Sequence, residues 1–191
     1  WGNSTQGQGD ASRNRLEIGY RTSAGPTLWG QFVLHGPTGR VGIGTVNPQA
    51  RLHVNGSIIV EDDIVLQNAD CAEEFPLAEG AAGEPGSVMV VGEDGRLQPC
   101  EAAYDTRAAG IVAGAGTLRP ALVLGRNPDD PAPRVAIALA GRVYCRVDAG
   151  PAPILPGQLL TTAERPGHAM AVQDRARAMG AILGKALEPA R

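Results

Sequence analysis

Short runs of apolar residues, separated by Gly, Pro and Asn, cover most of the chain and predict β-strands rather than helices. The runs at 135–139 and 143–147 alternate apolar and small or polar residues with the period of two that is typical of a strand with one buried face. In the first third, the predicted strands are 16–20, 31–35, 40–43, 51–54, 57–60 and 63–66. Further on, they are 87–91, 96–98, 110–112, 121–124, 135–139, 142–147, 158–162 and 178–183, with one short helix at 174–179.

These runs predict an all-β chain in three parts. Residues 1–14 are polar and rich in Gly, Asn and Gln, and are predicted to be a flexible lead-in. The strands of residues 15–67 are too short and too poor in large apolar residues to bury a core alone. They would be stable if three chains shared one apolar stripe, which predicts a homotrimeric shaft resembling a β-prism or β-helix. Residues 68–191 are predicted to form a compact β-barrel or sandwich.

Composition supports this division and excludes several functions. The 26 glycines and 15 prolines argue against long helices, and the low aromatic content predicts a core of Val, Ile, Leu and Ala. A net charge of −3 argues against a nucleic-acid partner, and no apolar run is long enough for membrane insertion. The three cysteines have no metal-ligand spacing, and no cofactor-binding motif is present. No metal or cofactor is therefore expected.

The sequence VGIGTVNPQARLHVNG, from Val41 to Gly56, resembles a recurring element of phage tail fibres and tail spikes. In those proteins the element commonly precedes a C-terminal chaperone domain, so the resemblance implies an architecture rather than a chemistry. A nucleotide-binding interpretation of Gly42 and Gly44 fails because the third glycine is missing and Pro48 follows too soon.

The sequence NADCAEEF, at residues 68–75, resembles the junction at the start of the autocleaved C-terminal domain of phage pre-neck appendage proteins. Residues 41–120 carry this resemblance. It implies a glutamic-type endopeptidase that acts only on its own chain, after the domain has helped the trimer to assemble. Cleavage would fall between Ala69 and Asp70, with Asp70 and Glu73 as the catalytic pair.

The spacing of the two carboxylates provides a physical argument for this hypothesis. Asp70 and Glu73 are three residues apart, so one helical or tight turn would place both on the same side. Two neighbouring carboxylates do not both ionise easily, so one pKa rises and that group can donate a proton. Glu74 is a spare carboxylate for either role. The alternative is structural: Asp70 caps a helix and Glu73 completes a capping box, without catalysis.

Cys71 offers a second chemistry at the same position. A thiol directly after Asp70 could attack the preceding carbonyl and form a thioester, if a base activated it. His168 is the only histidine within residues 68–191 and is the candidate base.

We therefore expect the C-terminal part of a trimeric phage-type tail fibre or appendage, which assists assembly and cleaves itself between Ala69 and Asp70. The alternatives are a fibre module that does not cleave and a receptor-binding tip. The expected partners are two further copies of the chain, other tail or fibre proteins and a host-surface receptor. The expected location is a virion or phage-tail-like particle, extracellular when mature.

Overall fold

A computed structural model describes residues 15–21, 27–68, 70–126 and 131–191. The predicted lead-in, residues 1–14, lies outside the described residues. The chain divides into two compact units, Trp1–Ile64 (unit 1) and Val65–Arg191 (unit 2), close to the predicted division after residue 67. Throughout the described ranges the secondary structure is strand and turn, without a helix, which confirms the all-β prediction.

Unit 1 contains one four-stranded sheet in the order β1-β2-β3-β4. The first three strands are antiparallel, and β4 is parallel to β3. The predicted strands of this region are confirmed up to residue 54. The bounds are β1 Arg15–Arg21, β2 Thr27–His35, β3 Arg40–Ile43 and β4 Leu52–Val54.

One face of this sheet carries two rows of apolar residues. Directly opposed residues of neighbouring strands point to the same face, so the register defines two rows across the sheet. Most of these side chains are between 38% and 54% exposed. The rows are Leu16, Leu34, Val41 and Leu52, and Ile18, Phe32, Ile43 and Val54.

The opposite face is covered by the chain itself. The loop at residues 44–51 folds back over it, so that Pro48 is buried and the Arg40 guanidinium donates a hydrogen bond to the Pro48 carbonyl at 3.0 Å. Gly42 lies under the loop, where any Cβ atom would clash with the Thr45 carbonyl oxygen. The Gly42 position of the predicted fibre element therefore serves close packing of backbone on backbone. Val33, on the same face, is fully buried.

The predicted strands at 57–60 and 63–66 are wrong for the single chain. Residues 57–68 have no regular secondary structure and pair with no strand in the part of the chain that the structure describes. A strand needs a neighbour for its backbone hydrogen bonds, and the sequence pattern alone does not reveal whether one is available.

Unit 2 contains two open sheets. A six-stranded sheet has the order β7-β6-β8-β10-β5-β9, and a three-stranded sheet has the order β12-β11-β13. Neither sheet closes into a barrel. The bounds are β5 Asp70–Pro76, β6 Val88–Val91, β7 Leu97–Pro99, β8 Ala108–Val112, β9 Pro120–Leu124, β10 Arg134–Gly141, β11 Leu159–Thr162, β12 Ala169–Ala171 and β13 Ile182–Lys185.

Both faces of the six-stranded sheet are buried near its centre. One face packs on the three-stranded sheet through a cluster that includes Val88, Ile111 and Leu160. The other face carries a second cluster, which includes Met89 and Ile137. The segment after β5 covers this second cluster. Because alternate residues of one strand enter different clusters, β6 is apolar at every position. The remaining members are Val90, Cys100, Ile154, Ala169, Ala171 and Ala186 in the first cluster, and Leu77, Leu97, Val112 and Val135 in the second.

Two further predictions for unit 2 are wrong. Residues 142–147 form no strand apart from an isolated bridge between Val147 and Ala169. The Arg146 amide donates a hydrogen bond to the Gly86 carbonyl, whereas the Arg146 carbonyl accepts one from the Ala169 amide, so no single neighbouring strand pairs with this segment. Residues 174–179 form turns instead of a helix. The Asp174 carboxylate accepts bonds from two following amides, as a helix cap would, but Gly180 adopts a left-handed conformation (φ 83°) and the chain turns away.

Candidate processing site at the start of strand β5

Strand β5 begins at Asp70 and lies inside the six-stranded sheet. It is antiparallel to β10 on one side and parallel to β9 on the other. Leu139 of β10 and Ala121 of β9 have no partner in β5, and each forms an irregularity in its own strand. The residues of β5 itself pair consecutively, without an irregularity. The side chains of β5 therefore alternate between the two faces of the sheet.

Asp70 is a buried carboxyl group. The residue is 4% exposed, and neither carboxylate oxygen has a hydrogen-bond partner among the described residues. Its neighbours explain this: Gly141 of β10 has no side chain, and Pro120 of β9 has no N–H group. Desolvation by burial raises the pKa of Asp70 above its ordinary value, because the charged form is disfavoured away from water. Ala69, on the other side of the predicted scissile bond, lies outside the described residues.

Glu73 does not lie beside Asp70 as its spacing suggested. Residues three apart in a strand point to opposite faces, and their Cα atoms are separated by about 10 Å. Glu73 lies opposite the buried Ile137 in the register with β10. The expectation that both carboxylates lie on the same side is therefore wrong. The capping-box alternative is also wrong, because no helix begins at Asp70.

Glu74 is held in ion pairs. Its carboxylate lies 3.0 Å from Nε of Arg126 and 3.9 Å from Nε of Arg134, and its backbone carbonyl accepts a bond from the Arg134 guanidinium at 2.8 Å. Both arginines therefore engage Glu74, and its predicted role as a spare carboxylate gains no support from this arrangement. Sequence analysis missed both arginines, because only the folded sheet brings them to Glu74 from more than fifty positions away.

Cys71 and His168 are not neighbours. His168 follows Gly167 in the turn before β12, and Gly167 accepts a hydrogen bond from Val88 of β6 at 2.9 Å. Three strand spacings separate β6 from β5, or about 14 Å. His168 Nδ1 instead contacts the Pro166 carbonyl at 2.7 Å. The structure therefore places His168, the candidate base of the thioester route, beyond hydrogen-bonding distance of Cys71.

The other thiols of the domain are structural. Cys100 is fully buried in the first core cluster, and Cys145 packs against that cluster. Desolvation raises the pKa of both thiols, that of Cys145 to about 12, with the nearby Cys100 as a smaller cause. A thiol with a raised pKa carries little thiolate and reacts slowly.

Among the described residues, no group of three or more His, Cys, Asp or Glu side chains is arranged to hold a metal ion. Within the same ranges there is no helix of the length and apolarity needed to cross a membrane. Comparison with protein-family models, with curated proteins and with solved structures finds no match to this chain.

Proposed function

We propose that this chain is the C-terminal part of a trimeric phage-type tail fibre or appendage, in which unit 1 belongs to a three-chain shaft and unit 2 assists assembly. The observation that carries the proposal is the apolar face of the unit 1 sheet. The chain covers one face of that sheet with its own loop and leaves the other exposed.

The energy available from covering this face is substantial. Burying a fully exposed Val, Leu, Ile or Phe side chain contributes about 1.5–3 kcal/mol. The exposed members retain roughly half of their surface, so each would contribute about 1 kcal/mol, or on the order of 6 kcal/mol per chain. A contiguous apolar surface of this kind is unusual in a monomer and typical of an obligate interface.

Copies of the same chain are the partner that this surface fits best. The two rows carry no charged or hydrogen-bonding side chain, so the complementary surface must itself be apolar. Three copies of one sheet around a common axis bury the same face in each copy, which closed symmetry requires. The β-prism form of the shaft follows from this arrangement and belongs to the proposal.

Sedimentation equilibrium of the full chain tests the trimer. We expect a mass three times the chain mass of 19.7 kDa. The change Leu34→Asp places a charge in the middle of the apolar face and should shift the protein to monomer. Gln31→Asp is the matched control, because it introduces the same residue at an exposed position on the opposite face of β2. A monomeric wild type, or equal effects of both variants, would refute the proposed interface.

Self-cleavage between Ala69 and Asp70 is the second part of the proposal, and the buried, unpartnered carboxyl of Asp70 favours it. Groups with raised pKa values and no structural partner are characteristic of functional sites. The bond precedes the first residue of β5, so cleavage would leave every strand of unit 2 intact. Glu73, on the opposite face, would have to act without direct contact with Asp70 in the same chain.

Intact mass under denaturing conditions, measured on fresh protein and after incubation, tests cleavage. Two fragments meeting at Ala69–Asp70, absent in Asp70→Asn, are the expected result. One undivided mass in a confirmed trimer would leave the non-cleaving fibre module as the function. A receptor-binding tip, contacts with other tail proteins and a place in the virion remain proposals that depend on the trimer.

A further inference from the structure

Asn55 and Gly56 follow β4 directly and form the only Asn-Gly pair of the sequence. Both residues are exposed, and a Cβ atom added at Gly56 would meet nothing within 4 Å. In the part of the chain that the structure describes, the Gly56 amide donates no hydrogen bond. Because glycine has no side chain to obstruct a close approach, its amide nitrogen is able to reach the side chain of the preceding asparagine. The pair is therefore open to an internal reaction.

This reaction is a cyclisation whose only co-reactant is water. The backbone nitrogen of Gly56 attacks Cγ of Asn55, a new N–C bond forms, and Nδ2 leaves as ammonia with the proton of the amide. Water then adds to one carbonyl of the cyclic imide and opens the ring. Addition at Cγ gives aspartate at position 55, whereas addition at the backbone carbonyl gives isoaspartate, whose main chain runs through the β carbon. Asparagine is counted among the thermolabile residues.

Asp94 and Gly95 have the composition for the same cyclisation, but the structure restrains them. The Gly95 amide donates a hydrogen bond within its own turn at 3.0 Å, and the Asp94 carboxylate accepts one from the Arg96 amide at 3.0 Å. A nitrogen whose proton is held by a carbonyl is a poor nucleophile, and a carboxylate held by another amide is not free to approach it. The Asn55 side chain is restrained less, because its bond from Nδ2 to the Gly44 carbonyl is long, at 3.3 Å.

We propose that Asn55 is a site of spontaneous deamidation in the folded protein, and that the carboxylate formed there releases the end of β4 from β3. The Asn55 amide donates a hydrogen bond to the Ile43 carbonyl at 2.9 Å, and its side chain donates the bond to Gly44. A carboxylate has no proton to donate, so the second bond is lost and an oxygen faces the carbonyl oxygen. Isoaspartate also lengthens the main chain, which misaligns the first bond. The inference does not depend on the proposed trimer.

Peptide mapping of the full chain by mass spectrometry, after incubation in heavy-oxygen water at pH 8, tests the site. We expect a labelled carboxylate at position 55, including isoaspartate, to form at least tenfold faster than at Asn47. Asn47 is the internal control, because Pro48 has no amide proton and cannot close the imide.

Unfolding in urea separates the effect of the fold from that of the sequence. The unfolded chain should form isoaspartate at both Asn55 and Asp94, whereas the folded chain should form it at Asn55 alone. A folded chain that keeps Asn55 intact while the unfolded chain converts it would overturn the inference. A labelled product without isoaspartate would also overturn it, because direct hydrolysis of the side chain does not pass through the imide.

Substitution measures the consequence for β4 separately. Asn55→Asp reproduces one of the two products, and should lower the hydrogen-exchange protection of the amide at position 55 at least threefold. Gln67→Glu is the control, because it makes the same change from amide to carboxylate at an exposed residue of unit 2. Equal protection of the position 55 amide in the two variants would contradict the proposed release of β4.

Discussion

Removing the charge of Asp70 should stabilise unit 2, although the residue is one of the most buried in its sheet. Within the described ranges, neither oxygen of the carboxylate has a hydrogen-bond partner. A buried polar group without a partner costs about 1–3 kcal/mol, and more when it is charged. Asp70→Asn keeps the shape of the side chain and removes the charge, so we expect a gain of about 1–2 kcal/mol at pH 8.

The effect should depend on pH in a defined direction. Burial raises the folded-state pKa of Asp70 above its ordinary value of 3.8, so the native state binds the proton more tightly than the unfolded state does. The contribution of Asp70 to stability is therefore complete below pH 3.8 and is lost as the pH rises through the folded-state pKa. The advantage of Asp70→Asn should be largest above the raised pKa and should nearly disappear at pH 3.

Urea unfolding read by hydrogen exchange in peptides from β5 and β10 measures this effect in unit 2 separately. Glu79→Gln, which removes an exposed carboxylate from a turn, is the control for net charge. The free energy of unfolding of each variant is compared with that of wild type at the same pH. The contributions of the other carboxylates are common to both proteins and cancel in this difference. If Asp70→Asn lowers stability by about 1 kcal/mol or more at pH 8 while Glu79→Gln is neutral, the carboxylate has a stabilising partner and the reasoning is wrong.

Three other features give independent tests. Hydrogen bonding to Arg107 lowers the pKa of Asp105, so Asp105→Asn should cost about 1 kcal/mol in urea unfolding at pH 7 and little at pH 2, since this stability is lost as the pH falls. Gly42→Ala should destabilise unit 1 by about 2 kcal/mol or more, because its Cβ would clash with the covering loop, whereas Gly184→Ala, with open space around it, should be close to neutral in the same assay. Cys145, with a pKa of about 12, should resist iodoacetamide at pH 8 until urea unfolds the domain; rapid labelling of this partly buried thiol in the folded protein would contradict its raised pKa.

The sequence predicted best the strands that have local signals. In β10 the large side chains of Val135 and Ile137 alternate with alanines. This period of two is the signal of a strand, and the sequence therefore predicted β10. The predicted strands at 87–91 and 96–98 are joined by a turn in which Gly95 supplies the left-handed conformation required (φ 76°). In these places the local preference of the chain agrees with the fold.

The candidate site was the hardest part to predict, and for a physical reason. The sequence from Asp70 to Pro76 contains three carboxylates and only one large apolar residue, Phe75. It therefore shows neither the period of 3.6 residues typical of a helix nor the period of two typical of a strand. It is a strand because β9 and β10, which lie far along the chain, provide hydrogen bonds on both sides. Tertiary pairing decided the local structure, and with it the faces to which Asp70 and Glu73 point.

The two units differ in what they need in order to be stable. Unit 2 buries both faces of its large sheet with its own residues, so its folding should not depend on the concentration of the chain. Unit 1 covers one face and leaves two rows of apolar side chains exposed. Residues 57–66 have no backbone partner within the part of the chain that the structure describes. If other copies of the chain cover these surfaces, as proposed, their contribution to stability grows with the concentration of the chain. In a trimer, unit 2 would therefore fold first within each chain, and the shaft would order only when three chains are held together. That sequence of events is what a C-terminal domain that assists assembly requires.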